Sequence, residues 1–219
     1  MLEEKIRLKV RNNLIIPTMS KRWARELISD DFTIISNNCW AGTVYESYAI
    51  EKKTPTVGMF IMPEDYLLFL MDLNFYLNER LVFIEPFESK WKCSLSYKRN
   101  WGKYPIARLG NIELHMLHYH DKNIALDKWN RRIERINHAH LMVKFNDQNG
   151  CSKEILDKYL DLKYKNKIFF TSNANWANKP ETIFIPQPRN NRNEIYASRE
   201  PYGPNRLFNV TKYINNIIR

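Results

Sequence analysis

The segment "IISNNCWAG" places a cysteine directly after a short apolar run and directly before residues with helical spacing. A thiol at a helix N-terminus has a lowered pKa, so Cys39 is a candidate thiolate nucleophile. The amides of Asn37 and Asn38, with free backbone N–H groups near Gly42, could stabilise an oxyanion. Ser36 is a second candidate nucleophile. In the alternative interpretation Cys39 is a small buried hydrophobic residue and the asparagines cap the helix.

A nucleophile requires a base, and the histidines fall into two groups along the chain. His115, His118 and His120 end one predicted strand, while the other two histidines precede the next strand and should lie at the opposite edge of the sheet. Strand alternation places His118 and His120 on one face, near the edge that holds Cys39. His118 is therefore the preferred base and His115 the next candidate. Imidazoles suit zinc, but the spacing in "HMLHYH" matches no strong zinc pattern, so no metal is predicted.

Two further groups could contact a substrate. Arg131 and Arg132 lie on a predicted helix and could hold a phosphate or carboxylate. Alternatively, Arg131 forms an i,i+4 pair with Asp127 on an exposed helix face. Asp147 follows a strand at the predicted active edge and could orient a substrate or form an ordinary turn.

These residues are positioned by alternating strand-like and helix-like segments. Strands are predicted at 32–35, 54–61, 80–86, 111–119, 140–145 and 167–172, and helices at 42–50, 63–77, 121–136 and 152–162. The alternation predicts an α/β fold, a three-layer α/β/α arrangement with a largely parallel or mixed sheet. We expect an N-terminal helical segment (1–24) interrupted at Pro17, a core domain (25–176) and an irregular C-terminal appendage (177–219) of the same domain. Ligands of such sheets bind beyond the carboxyl ends of the strands, where "SNNC" lies.

The composition narrows the function classes. The formal net charge is +10, from 34 Lys and Arg against 24 Asp and Glu, which favours acidic partners such as phosphates, nucleotides or anionic lipids. No zinc-finger spacing or RNA-binding signature is present, so nucleic acid is not predicted. The sequence has three cysteines and no C-x-x-C pair, and it shows neither a signal peptide nor a transmembrane stretch. These features predict a cytoplasmic protein. Motifs typical of P-loop, dinucleotide-binding and hydrolase sites are absent.

The ordered segments "FTIISNNCWAG", "TPTVGMFI", "EDYLLFLMDLNFYL", "YPIARLGNIELHMLHY" and "ALDKWNRRIERI" resemble a bacterial family of unknown function. Its members often occur with exopolysaccharide or capsule biosynthesis genes, and some carry an acyltransferase label. The resemblance covers residues 25–175. It implies an α/β/α fold and a role in surface-polysaccharide synthesis, but it transfers no catalytic residues.

The sequence-based hypothesis is a cytoplasmic transferase that modifies a sugar or glycan, most concretely an acyl (acetyl) transferase. His118 would activate Cys39, and acyl-CoA would be a suitable cofactor. The expected substrate is a sugar nucleotide or lipid-linked glycan, with peripheral contact to the inner membrane or to polysaccharide enzymes as a further expectation. One alternative is a sugar- or polyol-phosphate transferase, in which Arg131 or Arg132 would matter more than Cys39. The other is a basic, non-enzymatic assembly factor.

Overall fold

The computed structural model describes residues 2–187 and 194–219. The strands are β1 (Thr33–Ser36), β2 (Phe60–Ile61), β3 (Leu81–Ile84), β4 (Ile106–Leu109), β5 (Ile112–His115), β6 (Leu141–Asn146), β7 (Lys167–Thr171) and β8 (Thr182–Phe184). The helices are α1 (Leu2–Val10), α2 (Ile16–Arg25), α3 (Trp40–Ser47), α4 (Pro63–Met71), α5 (Leu73–Asn78), α6 (Lys92–Leu95), α7 (Lys122–Ile133), α8 (Lys153–Leu160) and α9 (Val210–Ile218).

A parallel sheet of order β1-β6-β7-β8 forms the centre of the molecule. Side chains alternate between its faces, so Val143 and Phe145 pack toward α4 and α8, while Met142 and Phe170 pack toward α3 and α9. Both faces are covered, which explains the nearly continuous apolar runs of β6 and β7. The predicted α/β class is confirmed.

The remaining strands form a second sheet, which the sequence-based topology did not foresee. Its order is β2-β5-β4-β3, and every pairing in it is antiparallel. A two-residue turn at Gly110 and Asn111 joins β4 to β5, and Gly110 has φ of 58°, a conformation that glycine adopts at little cost. Two strands joined by so short a turn pair antiparallel, because neighbouring parallel strands must be joined by a long crossover.

The strand predicted over 111–119 is shorter than expected and ends at His115. The backbone N–H of Leu117 already bonds the His115 carbonyl, and the N–H of Tyr119 bonds the Met116 carbonyl, so the chain turns here. The strand-alternation argument for His118 was therefore wrong, since His118 lies in the loop after β5. The predicted helix over 63–77 is divided at Asp72, whose carboxylate caps α5 by accepting from the Phe75 N–H at 3.1 Å.

The N-terminal segment is helical, but Pro17 does not end it. A π-helical turn, Arg11–Ile15, joins α1 to α2, and Pro17 occupies the first turn of α2, where a missing N–H is tolerated. No helix in the described residues is both long enough and apolar enough to cross a bilayer.

The C-terminal residues contribute to the same core as the rest of the chain. Strand β8 extends the parallel sheet beside β7. Helix α9 buries Val210, Ile214 and Ile217 in the apolar cluster that also contains Trp40. Residues 188–193, part of the predicted appendage, lie outside the described residues.

Candidate functional site

The "SNNC" turn is held in place by its own hydrogen bonds. Ser36 Oγ donates to the Asn38 carbonyl at 2.7 Å and accepts from the Ala41 N–H at 3.2 Å. Asn38 Oδ1 accepts from the Trp40 N–H at 3.0 Å, at the start of α3. Ser36 is fully buried, so its hydroxyl fixes the strand-to-helix turn and is not presented to a ligand.

A buried ion pair lies directly beneath this turn. Lys144 of β6 and Glu200 of the C-terminal segment contact each other, with 0% and 1% of their side chains exposed. Lys144 Nζ also donates to Asn38 Oδ1 at 3.1 Å, and it lies over the ring of Trp40. Burial lowers the pKa of Lys144, whereas Glu200 opposes this shift. A buried ion pair costs free energy unless both charged groups are well hydrogen-bonded. Both members of this pair are hydrogen-bonded to the surrounding side chains.

Amide side chains complete the network around Glu200. Asn38 Nδ2 donates to Glu200 Oε2 and to Gln148 Oε1, both at 3.0 Å. Asn146 Nδ2 donates to Glu200 Oε1 at 2.8 Å, and Asn37 Nδ2 donates to Asn146 Oδ1 at 2.8 Å. The amide nitrogens of Asn37 and Asn38 are thus engaged within the protein. Either residue would have to leave this network to hold an oxyanion.

A cavity of about 640 Å³ opens above the turn. Its walls come from α1, the start of α3, the loop before β2, the loop after β5, α7 and the C-terminal segment. Asn38, Cys39 and Gln148 line it at the ends of β1 and β6. The predicted location, beyond the carboxyl ends of the parallel strands, therefore contains a cavity of ligand size.

The cavity wall is rich in cations. Arg11, Lys98, Lys128 and Arg132 line it, and none of them forms an ion pair with a carboxylate in residues 2–187 or 194–219. Burial lowers the pKa of Arg11 and of Lys98, because the charged forms lose hydration there. In all, the lining contains five Lys or Arg and three Glu, a net formal charge of +2, so the cavity favours a bound anion.

Cys39 and His118 line the same cavity, although no hydrogen bond joins them in the structure. The Cys39 thiol donates to the Met59 carbonyl at 3.5 Å, and burial, followed by the charge of Glu200, raises the pKa of the thiol to about 12. This is opposite to the lowered pKa that the helix-start argument predicted, because burial removes water that would stabilise the thiolate. Burial also lowers the pKa of His118, so its neutral ring can accept a proton.

His115, the second base candidate, is enclosed in an aromatic cluster. Its ring stacks on Phe60 with centroids 4.6 Å apart, and both ring nitrogens are buried without a hydrogen-bond partner in the described structure. Burial lowers its pKa to about 3. It does not line the cavity.

The two arginines of α7 have different environments. Arg132 is buried, lines the cavity, and donates to the Tyr119 hydroxyl at 2.7 Å. Arg131 is exposed and lies 3.9 Å from Asp127, which is the i,i+4 arrangement of the alternative interpretation. Only Arg132 is therefore placed to contact a ligand in the cavity.

Asp147 braces the C-terminal segment and does not line the cavity. Its Oδ2 accepts from the Ser172 N–H at 2.6 Å and its Oδ1 accepts from the Ile195 N–H at 2.7 Å. Gly42 does line the cavity. A Cβ there would lie 3.0 Å from Val57 Cγ1, so glycine permits the close approach of α3 to this loop.

Sequence reasoning missed Lys144, Glu200 and the cavity cations Arg11, Lys98 and Lys128. Lys144 left one signal, a lysine inside the apolar run "HLMVKF". Glu200 left none, because it reaches the site from 54 residues beyond Asn146.

Comparison with known proteins identifies the family to which this chain belongs. An uncharacterised protein of Haemophilus influenzae is 28% identical over 147 residues, which are 67% of this chain and 65% of that protein, so the match covers less than two thirds of the relative. The model of one family matches residues 10–216, well beyond the limit at residue 175 of the resemblance. The matched range includes Glu200 and every cavity residue named above. The chain belongs to the family described as a domain of unknown function, DUF1919.

Proposed function

We propose that this protein is a transferase of surface-polysaccharide synthesis that uses a phosphate-activated sugar or polyol as its donor. The single observation that carries the proposal is the 640 Å³ cavity with four cations that lack described carboxylate partners. A phosphate or diphosphate would satisfy such cations with charge-assisted hydrogen bonds. The place in polysaccharide synthesis rests on the sequence resemblance, and the donor class rests on the cavity.

The cavity also offers groups that suit a sugar. Aromatic side chains of Trp40, Phe60 and Tyr104 line it and provide apolar surface for a ring. Asn12 and Asn100 line it as well and add exposed polar atoms that can bond hydroxyl groups. This combination of apolar surface with a few polar groups is typical of small-molecule sites.

In the proposed reaction, neutral His118 accepts the proton of the acceptor hydroxyl. The acceptor oxygen forms a bond to the transferred group as the bond between that group and the donor phosphate breaks. The phosphate leaves with the bonding electrons, and Lys128 and Arg132 stabilise the negative charge that it gains.

Acyl transfer through Cys39 and His118 is a second candidate, favoured by their shared cavity. The raised pKa of Cys39 weakens it, because only the thiolate is a strong nucleophile. Cys39→Ser separates the candidates. Phosphate-dependent transfer would persist in this variant, whereas a cysteine-dependent acyl transfer would be lost.

Inorganic pyrophosphate is a suitable probe of the anion site in titration calorimetry. Lys128→Gln should weaken its binding about tenfold, since a hydrogen bond to a charged group contributes about 1.5–3 kcal/mol. Arg131→Gln is the matched control, because Arg131 lies on the same helix and outside the cavity. Absence of pyrophosphate binding to the unmodified protein, or equal weakening by both substitutions, would refute the proposal.

A functional test compares the surface polysaccharide of the native host with and without the gene. Complementation with His118→Gln should fail to restore the missing sugar or polyol substituent, while complementation with Cys39→Ser should restore it. Loss of an acyl group alone, restored by the His118 variant, would contradict the proposed reaction.

A further inference from the structure

Helix α1 exposes apolar side chains to solvent. Ile6, Val10 and Leu14 are 52%, 43% and 59% exposed, and their spacing of four residues places them along one side of the helix. The π-helical turn that begins at Arg11 continues the helix past Val10, so Leu14 extends the same stripe. We call these three residues the α1 stripe.

The stripe is not needed for the core or for the cavity. The side of the same helix that faces the cavity contains Glu4, Leu8, Arg11 and Asn12. A helix whose one side already packs against the protein gains nothing in folding from three large apolar residues on the other.

A groove of about 450 Å³ runs alongside the stripe. Ile6 and Val10 form one wall, and residues 201–207, which include the 43% exposed Leu207, form the other. Four arginines line the groove, at positions 7, 11, 199 and 206. The groove thus combines apolar walls with cationic groups, the combination that binds the interface of a membrane.

The charge around the stripe is strongly positive. Residues 2–25 contain seven Lys or Arg and two Glu, a net formal charge of +5. Glu3, on the stripe side of α1, is itself paired with Arg7 at 3.2 Å and with Arg199. Glu3 thus neutralises two of the four groove arginines. Arg11 and Arg206 form no ion pair with a carboxylate in the described residues, so they can contact an anionic surface beside the exposed apolar residues.

We propose that the α1 stripe and the adjoining groove are a docking surface for an anionic lipid bilayer. The stripe would enter the headgroup region, and the flanking Lys and Arg would contact lipid phosphates. Charge complementarity selects this occupant over a protein partner, whose stable interface requires a broad face of roughly 800 Å². This inference does not depend on the proposed reaction.

The proposed docking surface adjoins the cavity of the candidate functional site. Arg11 lines both the groove and the cavity, and so do Ser198 and Glu200. A bilayer at the stripe would bring lipid phosphates next to the cavity wall, where a lipid-borne substrate could enter.

Co-sedimentation with vesicles tests the proposal. The unmodified protein should bind vesicles of phosphatidylglycerol mixed with phosphatidylcholine and should not bind vesicles of phosphatidylcholine alone. The variant Ile6→Gln/Val10→Gln/Leu14→Gln should bind at least about tenfold more weakly. These side chains are exposed, so its circular dichroism and melting temperature should be unchanged.

The matched control is Met71→Gln/Phe75→Gln/Val82→Gln, which removes three equally exposed apolar residues elsewhere (64%, 49% and 49%). It should bind vesicles like the unmodified protein. Arg206→Gln should weaken binding about fivefold and reduce its salt dependence, since one cation near an anionic surface contributes roughly that factor.

Three outcomes would overturn the inference: no vesicle binding by the unmodified protein, equal binding to both vesicle types, or equal loss in the two triple variants. Stripe-dependent self-association in sedimentation without vesicle binding would also overturn it, in favour of a second copy. Pyrophosphate titration of the stripe variant keeps the two proposals separate, because it should retain the binding of the unmodified protein. Vesicle binding without pyrophosphate binding would refute only the proposed function.

Discussion

The Lys144–Glu200 pair allows the most quantitative prediction. Glu200→Gln leaves the Lys144 ammonium in a site where 0% of its side chain is exposed, without its carboxylate. Two unit charges about 4 Å apart at an effective dielectric constant of about 20 attract by about 4 kcal/mol, and closer charges attract more strongly. Removing one member of a buried pair typically costs 3–5 kcal/mol. We therefore expect the free energy of unfolding to fall by about 3–5 kcal/mol at pH 7, out of a total of roughly 5–15 kcal/mol.

The pH dependence of this loss has a definite sign. Burial lowers the pKa of Lys144, and losing Glu200, which raises it, lowers it further. Between that lowered pKa and the ordinary lysine value of 10.5, the unfolded variant binds more protons than the folded one, so its stability rises with pH. The Glu200→Gln variant should thus recover part of its lost stability as the pH is raised from 7 toward 10.

Urea unfolding at several pH values measures both effects, provided the denaturant slope is unchanged. The control is the double variant Lys144→Met/Glu200→Gln, which removes both charges and should be more stable than Glu200→Gln alone. A loss below about 1 kcal/mol that does not vary with pH would refute the reasoning, because it would mean that Lys144 keeps its hydration.

Three further predictions concern single side chains. Cys39 should react with iodoacetamide at pH 8 far more slowly than the exposed Cys93, because loss of water raises the pKa of the half-buried Cys39 thiol to about 12. Peptide mass spectrometry measures both rates, and equal rates would contradict the raised pKa. His115 has a pKa lowered to about 3, so the stability it contributes is complete above pH 6.5 and is lost as the pH falls toward 3. In urea unfolding, His115→Phe should reduce the loss of stability at acid pH and should lower the free energy of unfolding by less than about 1 kcal/mol at neutral pH. If stability still falls as steeply at acid pH in this variant, the loss belongs to other groups. Gly42→Ala places a Cβ 3.0 Å from Val57 Cγ1 and should destabilise the protein by about 1–3 kcal/mol in the same assay. An unchanged free energy of unfolding would contradict the close packing of α3 against this loop.

The features that the sequence predicted correctly are those set by patterns of neighbouring residues: helix caps, buried strands and turns. The helix predicted to begin at residue 121 is α7, and Asp121 caps it, because its Oδ1 accepts from the Ile124 N–H at 2.8 Å. Strands β6 and β7 lie within one residue of their predicted bounds, because continuous apolar runs of this length identify strands buried on both faces. The turn at 36–39 was correctly placed at the strand-to-helix junction beside a cavity.

The catalytic roles of Cys39 and His118 stay predictions, and the structure changes the reasons for them. His118 was assigned to the cavity through a strand that ends three residues earlier, at His115. It reaches the cavity wall through a loop, whose His118 N–H bonds the Gly58 carbonyl at 2.9 Å. The thiol of Cys39 is desolvated, which local sequence cannot reveal because burial depends on the whole surrounding structure.

By itself, the sequence determined the α/β class, the main buried strands and the turn that faces the cavity, because periodicity and capping act over a few residues. Only the tertiary structure decided that the middle strands form a separate antiparallel sheet, and that Glu200 pairs with Lys144 56 residues earlier. It also gathered Arg11, Lys98, Lys128 and Arg132 around one cavity. Sheet pairing and charge clustering depend on contacts between residues far apart in the chain, and no local pattern of residues encodes which distant segments will meet.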